Sequence, residues 1–425
     1  MPFSRPPGSP RLLRAFLVAV VFVVAQTLLA MSLAPGPRPD EAHGASRYTR
    51  LNNWDSDHYS DLVDNGYHMP PPDRPVVGED VHQFRANLGY FPGYWTSVRT
   101  LKRWLGLSTY EALPLTAQLF GVVFWMYLYL MFDAAGVERR RIVRDLALVA
   151  AYPSAFFLIL GYSESTFMAT LAGFLYWSDR WIEPRGRLTA PGARKLAWAL
   201  AAVHGFAMAG TRIVGIPVAA YPVIRWLAQR IRRGDTIFAI DRRLLAAGAL
   251  VGVALIAPLL FFLFCSREFG HWDWYFRLQT IGWGKDPNYL AVLDPRSYFP
   301  RFFFENTVDS VSRTAVPFTA VLLVAAARRD WRHDKWERLG LYYAAFSLFY
   351  ISLAAKADTN MDSLIRYTWP AIALLTLARA GQEKERLAEG LPERGLSRGW
   401  RATVFLGFAI QLWSTYLFLR GKWVA

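Results

Sequence analysis

Residues 51–67 read LNNWDSDHYSDLVDNGY and place four carboxylates, Asp55, Asp57, Asp61 and Asp64, beside Trp54, His58 and Tyr59. A carboxylate within reach of a hydroxyl can take its proton as that oxygen attacks, and paired carboxylates can share a divalent cation. Helical spacing separates these roles. At about 100° per residue, Leu51, Asp55, His58, Tyr59 and Leu62 share one face, while Asp57, Asp61 and Asp64 form a second stripe. The second stripe reads as a solvated face. Asp55 keeps apolar and aromatic company, where desolvation raises a carboxyl's pKa and makes the carboxylate a stronger base. The competing reading is a helix cap, or a pair with Arg212 or Arg366. Asp55 and Asp57 point about 200° apart on a helix, which argues against a D-x-D metal site. His271 and Asp273 flank Trp272 and make a second acid–base or metal candidate. No HExxH run or cysteine cluster is present, and the single cysteine, Cys265, excludes an internal disulfide, so no resident metal or cofactor is expected.

The elements that must hold these residues follow from composition. The 425-residue chain is 53% hydrophobic and 16% aromatic, and only 19% of it is charged. An ordinary soluble domain carries about 25% charged residues. Apolar runs recur at 15–34, 114–135, 146–161, 164–178, 196–210, 213–229, 244–265, 314–327, 339–355, 367–378 and 402–419. Several approach the roughly 20 residues needed to cross hydrocarbon. They predict an all-α polytopic membrane protein built as one bundle of about eleven transmembrane helices. The charged start and apolar run of 1–34 resemble a signal peptide, but the run is long enough to serve as an uncleaved anchor.

A cytoplasmic N-terminus puts 1–14, 136–145, 179–195, 225–243, 328–338 and 379–401 on the inner side. Those loops hold 29 of the 48 Lys and Arg residues, as the positive-inside rule requires, and the entire excess of positive charge lies on that face. Basic residues spread over six short loops suit anionic lipid and lack the aromatic–basic groove of a nucleic-acid binder. The long segments 35–112 and 266–313 then face outward, to the cell exterior in a bacterium or the ER lumen in a eukaryote. The expected layout is a transmembrane module over 1–379, a cytoplasmic linker at 380–401, and a final helix and tail at 402–425.

Five short motifs then fall on the outer side in chain order. They are W-D-S-D-H-Y with D-N-G-Y at 54–67, Y-F-P-G-Y at 90–94, Y-S-E-S at 162–165, T-R-I-V-G at 211–215, and D-S-L-I-R-Y at 362–367. Together they resemble the PIG-V-type mannosyltransferases, relatives of GPI mannosyltransferase 2 within the GT-C class of membrane glycosyltransferases. Ile213 stands where that family's T-R turn carries proline. The resemblance implies a GT-C bundle with a helical first outer loop. It also implies transfer of a hexose, mannose by the family pattern, from a polyprenyl-phosphate donor to a glycan or glycolipid acceptor, with inversion. Asp55 matches the family's first-loop base. Arg212 and Arg366 sit at outer membrane boundaries, where a guanidinium fork suits the donor phosphate and an unpaired charge is costly. Tyr367, Glu164, His58, Tyr59 and Trp54 complete the expected substrate-binding set. Glu164 is placed to position Arg212 or to bind an acceptor hydroxyl. Trp272, Trp274, Tyr275 and Trp283 are candidates to stack on sugar or to lie in the headgroup zone. A different sugar on the same scaffold, a lipid or solute transporter, and a non-catalytic envelope subunit are the rival readings. The transporter reading predicts mid-membrane polar groups and repeated halves, and the sequence has neither.

Overall fold

The computed structural model describes residues 9–37, 45–69, 87–184, 189–236, 239–283, 294, 296, 310–332, 336–355, 363–391 and 398–422. Every regular element among them is a helix. In chain order these are α1 (Ser9–Leu33), α2 (Asp55–Asn65), α3 (Pro92–Leu105), α4 (Thr109–Ala134), α5 (Arg139–Ala150), α6 (Glu164–Ile182) and α7 (Pro191–Ala209). There follow α8 (Gly215–Val218), α9 (Tyr221–Arg233), α10 (Arg242–Phe269), α11 (Trp274–Trp283), α12 (Ser310–Arg332), α13 (Leu339–Ala354), α14 (Leu364–Ala388) and α15 (Arg398–Phe418).

Among the described residues, three helices are long and apolar enough to cross a membrane: Pro10–Leu33, Thr109–Ala134 and Arg242–Phe269. α4 starts at a capping box in which Ser108 and Glu111 satisfy each other's backbone donors, and α10 starts at Asp241, whose carboxylate accepts from the Leu244 amide at 2.7 Å. α1 packs on α4, α4 on α6, α6 on α7, α7 on α10, and α14 against both α12 and α13. Phe124, Trp125, Phe157, Phe167 and Trp369 fill the shared core. Leucine and phenylalanine side chains remain exposed along α1, α10 and α15, as on helices whose outer face meets lipid tails.

The eleven-helix expectation needs revision at two places. Residues 146–161 are not one span: α5 stops at Ala150 and a 3-10 turn covers Ala155–Leu158. Pro153 explains the stop, because it lacks an amide hydrogen and disfavours helix in the residue before it. Residues 213–229 divide into α8 and α9, with Pro217 inside the first and Pro222 at the start of the second. The segment 380–401 also begins as helix, since α14 continues through Ala388, where Glu385 pairs with Arg338 at 3.0 Å. The segment 35–112, expected to be helical, carries α2 and α3.

Ion pairs show which helix ends lie together. Arg11 near the start of α1 meets Asp133 near the end of α4 at 3.2 Å. Asp179 and Glu183 at the end of α6 meet Arg225 of α9, and Asp330 near the end of α12 meets Arg338. The starts of α6 and α14, the end of α7, and α2 and α3 gather at the other end, where the five motifs of the sequence come into contact.

Candidate functional site

The first motif and the Y-S-E-S turn are locked to each other. Ser56 Oγ donates to the Gly161 carbonyl at 3.1 Å, and Tyr162 Oη donates to the Asn53 carbonyl at 3.0 Å while accepting from the Asp55 amide at 3.3 Å. Gly161 has to be glycine, because a Cβ there would stand 2.1 Å from Asn52 Oδ1. The Y-F-P-G-Y motif meets the T-R turn in the same way. The Gly93 amide donates to the Gly210 carbonyl at 2.8 Å, and a Cβ on Gly93 would stand 2.4 Å from Thr211 Oγ1.

These locks bring four charged groups together at one end of the bundle. Asp55 begins α2, Glu164 begins α6, Arg212 follows α7, and Arg366 lies in the first turn of α14. Arg366 Nη2 stands 3.1 Å from Asp55 Oδ2. A single carboxylate oxygen, Glu164 Oε1, takes Arg212 Nη1 at 2.7 Å and lies 2.9 Å from Arg366 Nε, the latter as an ion pair without hydrogen-bond geometry. Arg212 Nη1 also donates to Ser163 Oγ at 3.2 Å, and Arg366 Nη2 to Tyr367 Oη at 3.1 Å. Side-chain exposure falls from 18% for Asp55 and 16% for Arg212 to 10% for Glu164 and 5% for Arg366. Two carboxylates against two guanidiniums make the cluster neutral, which is how so much charge is tolerated out of water.

Aromatic rings wall the cluster. The Arg366 guanidinium carbon lies 5.1, 5.2 and 4.9 Å from the Phe157, Tyr162 and Tyr367 ring centres, and that of Arg212 lies 5.1 Å from the Tyr367 ring. Burial pulls the Arg212 pKa down, but the Glu164 carboxylate outweighs it and the guanidinium ends above its usual value. Burial pushes the phenols of Tyr59 and Tyr90 up, so both are neutral hydrogen-bonding groups at any ordinary pH.

A cavity of about 150 Å³ opens on this cluster. Asp55, Tyr59, Arg212, Arg366 and Tyr367 line it, joined by Tyr90, Ser163, Thr211 and Ser363 from the motifs. Two side chains of α11, Tyr275 and Gln279, close another wall. Inside the cluster, Arg366 Nη1 and Glu164 Oε2 are buried without a hydrogen-bond partner among the described residues. Unsatisfied buried polar atoms are uncommon in folded proteins and mark a place where a ligand or water can complete the pairing.

Backbone strain falls at the same place. Among the described residues, the two non-glycine residues with positive φ are Trp54 (56°) and Ser363 (62°). Each immediately precedes the helix that carries Asp55 or Arg366. Such conformations cost about 1–3 kcal/mol and persist where surrounding contacts impose them.

The remaining expected residues sort as follows. Tyr59, Arg212, Arg366 and Tyr367 line the cavity with Asp55, and Glu164 lies behind the arginines rather than on the cavity wall. His58 stacks on Tyr90 with ring centres 5.3 Å apart, and Trp54 packs against the bundle core. Asp57 is exposed, whereas Asp55 lines the cavity. Asp61 and Asp64 are more than a solvated stripe: Asp61 accepts from Asn87 Nδ2 at 2.9 Å, and Asp64 meets Lys102 Nζ at 2.6 Å, tying α2 to its surroundings. His271, Trp272 and Asp273 stand away from the cavity. Trp272 is 58% exposed, and Asp273 is held by Arg277 at 2.9 Å, the ordinary i,i+4 pairing of a helix surface. The α11 face turned to the cavity carries Tyr275 and Gln279 instead, one helical turn apart. Gln279 had no motif to reveal it; its i,i+4 relation to Tyr275 was the available signal. Asp362 of the D-S-L-I-R-Y motif falls outside the described residues, as does the side chain of Trp283.

No family model matches the chain, and no curated protein matches it. Among solved structures it is similar to the oligosaccharyltransferase AglB of Archaeoglobus fulgidus. The apo form matches at 14% identity and a TM-score of 0.48, over 97% of this chain and 56% of that one. The form tethered to an acceptor peptide matches at 15% identity and 0.49, over 96% and 55%. The complex with an inhibitory peptide and a dolichol-phosphate matches at 15% identity and 0.47, over 96% and 56%. The chain thus spans little more than half the length of that protein.

Proposed function

We propose that the chain is a membrane-embedded glycosyltransferase of the GT-C type, taking a hexose from a polyprenyl-phosphate donor. The observation that carries this reading is that Asp55, Arg212 and Arg366, drawn from three distant motifs, line one cavity. That set matches what the reaction requires. The acceptor hydroxyl loses its proton to Asp55 as its oxygen attacks the anomeric carbon. The bond from that carbon to the phosphate oxygen breaks, and polyprenyl phosphate leaves as an anion that Arg366 and Arg212 can hold. An anionic leaving group needs no proton from a general acid. Attack from the face opposite the phosphate inverts the anomeric centre. Tyr59, Tyr90, Tyr275 and Gln279 offer rings and polar atoms for the sugar or acceptor.

The family resemblance of the five motifs favours mannose. The concentration of Lys and Arg in alternate loops favours a cytoplasmic N-terminus and an extracytoplasmic cavity, with membrane lipid and a glycan or glycolipid acceptor as partners. The test is transfer by the purified chain in proteoliposomes supplied with a series of polyprenyl-phosphate hexoses and candidate lipid acceptors. Donor-dependent product, greatest with mannose, is expected. A chain that binds these lipids but moves no sugar from any of them would overturn the reading.

A further inference from the structure

We infer that the lipid phosphate enters by displacing Asp55 from Arg366, so that one ion-pair exchange both seats the donor and releases the base. The inference rests on the donor reading above and assigns the order of contacts within that site. Arg366 presents a two-ended fork. Nη2 is engaged by Asp55 Oδ2 at 3.1 Å, and Nη1 is buried with no hydrogen-bond partner among the described residues. A phosphate accepts from both ends of such a fork at once, which one carboxylate oxygen on Nη2 does not. The incoming anion therefore gains a second hydrogen bond that the resting pair lacks.

The two carboxylates on Arg366 are unequally placed for replacement. Glu164 is behind the cavity wall, and its Oε1 is held by Arg212 at 2.7 Å and by Arg366 at 2.9 Å. Releasing it would strip two guanidiniums at once. Asp55 lines the cavity, is the more exposed of the two acids, and sits at the first residue of α2 behind the strained Trp54 backbone. It is the carboxylate an anion in the cavity meets. Glu164 then works as a positioning residue: it keeps the Arg366 guanidinium in place while Asp55 lets go. A carboxylate released from a guanidinium is a better proton acceptor, so the base becomes competent only when donor is present.

The exchange is read by lipid binding rather than turnover. The probe is undecaprenyl phosphate added to the purified full chain in nanodiscs, with undecaprenol as the uncharged control. Asp55→Asn should bind the phosphate roughly five- to tenfold tighter than wild type, the scale of one ordinary net hydrogen bond. Arg366→Lys, which lacks the fork, should bind it weaker, and in that background Asp55→Asn should bring little further gain. Undecaprenol should bind all variants alike. Asp55→Ala serves as the second variant if Asp55→Asn is poorly folded by thermal melting, with the same tightening expected. Unchanged or weaker phosphate binding in both Asp55 variants overturns the exchange. So does equal tightening with and without the Arg366 fork, because that reports only the loss of a nearby negative charge. Failure of sugar transfer with the binding pattern intact would sink the proposed enzyme and leave the exchange standing; transfer without the binding pattern would do the reverse.

Discussion

Arg338 and Arg366 are both buried guanidiniums, 8% and 5% exposed, at opposite ends of one helical bundle. Arg338 is fully enclosed by acids. Its Nε and Nη2 reach Asp330 at 2.5 and 2.7 Å, and its Nη1 and Nη2 reach Glu385 at 3.0 Å each. Tyr342 donates to Asp330 and accepts from Gln382 Nε2, closing the network. Arg366 shares one oxygen of Glu164 with Arg212, holds Asp55 by one nitrogen, and keeps Nη1 unsatisfied beside a cavity. A closed polar network fixes helix ends to one another, whereas an open one keeps binding capacity in reserve at a cost in stability. The difference separates an arginine saturated by acids from one with pairing capacity to spare, although their burial is nearly the same.

Substitutions can break or sharpen that contrast. The largest stability effect belongs to Arg338→Ala, which strands Asp330 and Glu385; about 3–5 kcal/mol is expected, read by denaturation in detergent, with turnover per folded molecule near wild type. Arg366→Ala should cost less, about 2 kcal/mol, because Glu164 keeps Arg212, yet it should remove nearly all turnover. If both variants lost stability and specific activity in equal proportion, the contrast would fail. Gly93→Ala pushes a methyl group against the Thr211 side chain and the Gly210 carbonyl. It should cost about 1–2 kcal/mol in melting experiments and reduce turnover by moving the Arg212 turn. Asp57→Asn, on the exposed face of α2, should change stability by less than about 0.5 kcal/mol and turnover by less than about twofold.

Much of the site could be read from the chain alone because helical periodicity is local. The angle between Asp55 and Asp57 follows from two residues of spacing, and it separates a cavity-lining carboxylate from an exposed one. Glu164 and Arg212 were legible as a pair because each sits in a tight turn between apolar runs, where an unpaired charge is costly. The choice of Arg366 over Arg212 as the partner of Asp55 was not legible, since the two lie 311 residues apart and only packing sets their distance. Hydropathy also counted 146–161 and 213–229 as spans. Apolar content cannot register the prolines at 153, 217 and 222, nor that a buried turn is as greasy as a buried helix. His271 and Asp273 have suitable chemistry but lie in the turn before α11; Tyr275 and Gln279, on the helix itself, hold the cavity wall.

The central claim is that the Asp55 carboxylate takes the acceptor proton. Its most direct test is the turnover number of Asp55→Asn in proteoliposomes at saturating donor, beside wild type and Asp57→Asn, with insertion and melting checked for all three. A loss of about 10²–10⁴ in turnover confined to Asp55→Asn is the predicted result. Wild-type turnover in a folded Asp55→Asn protein would contradict it.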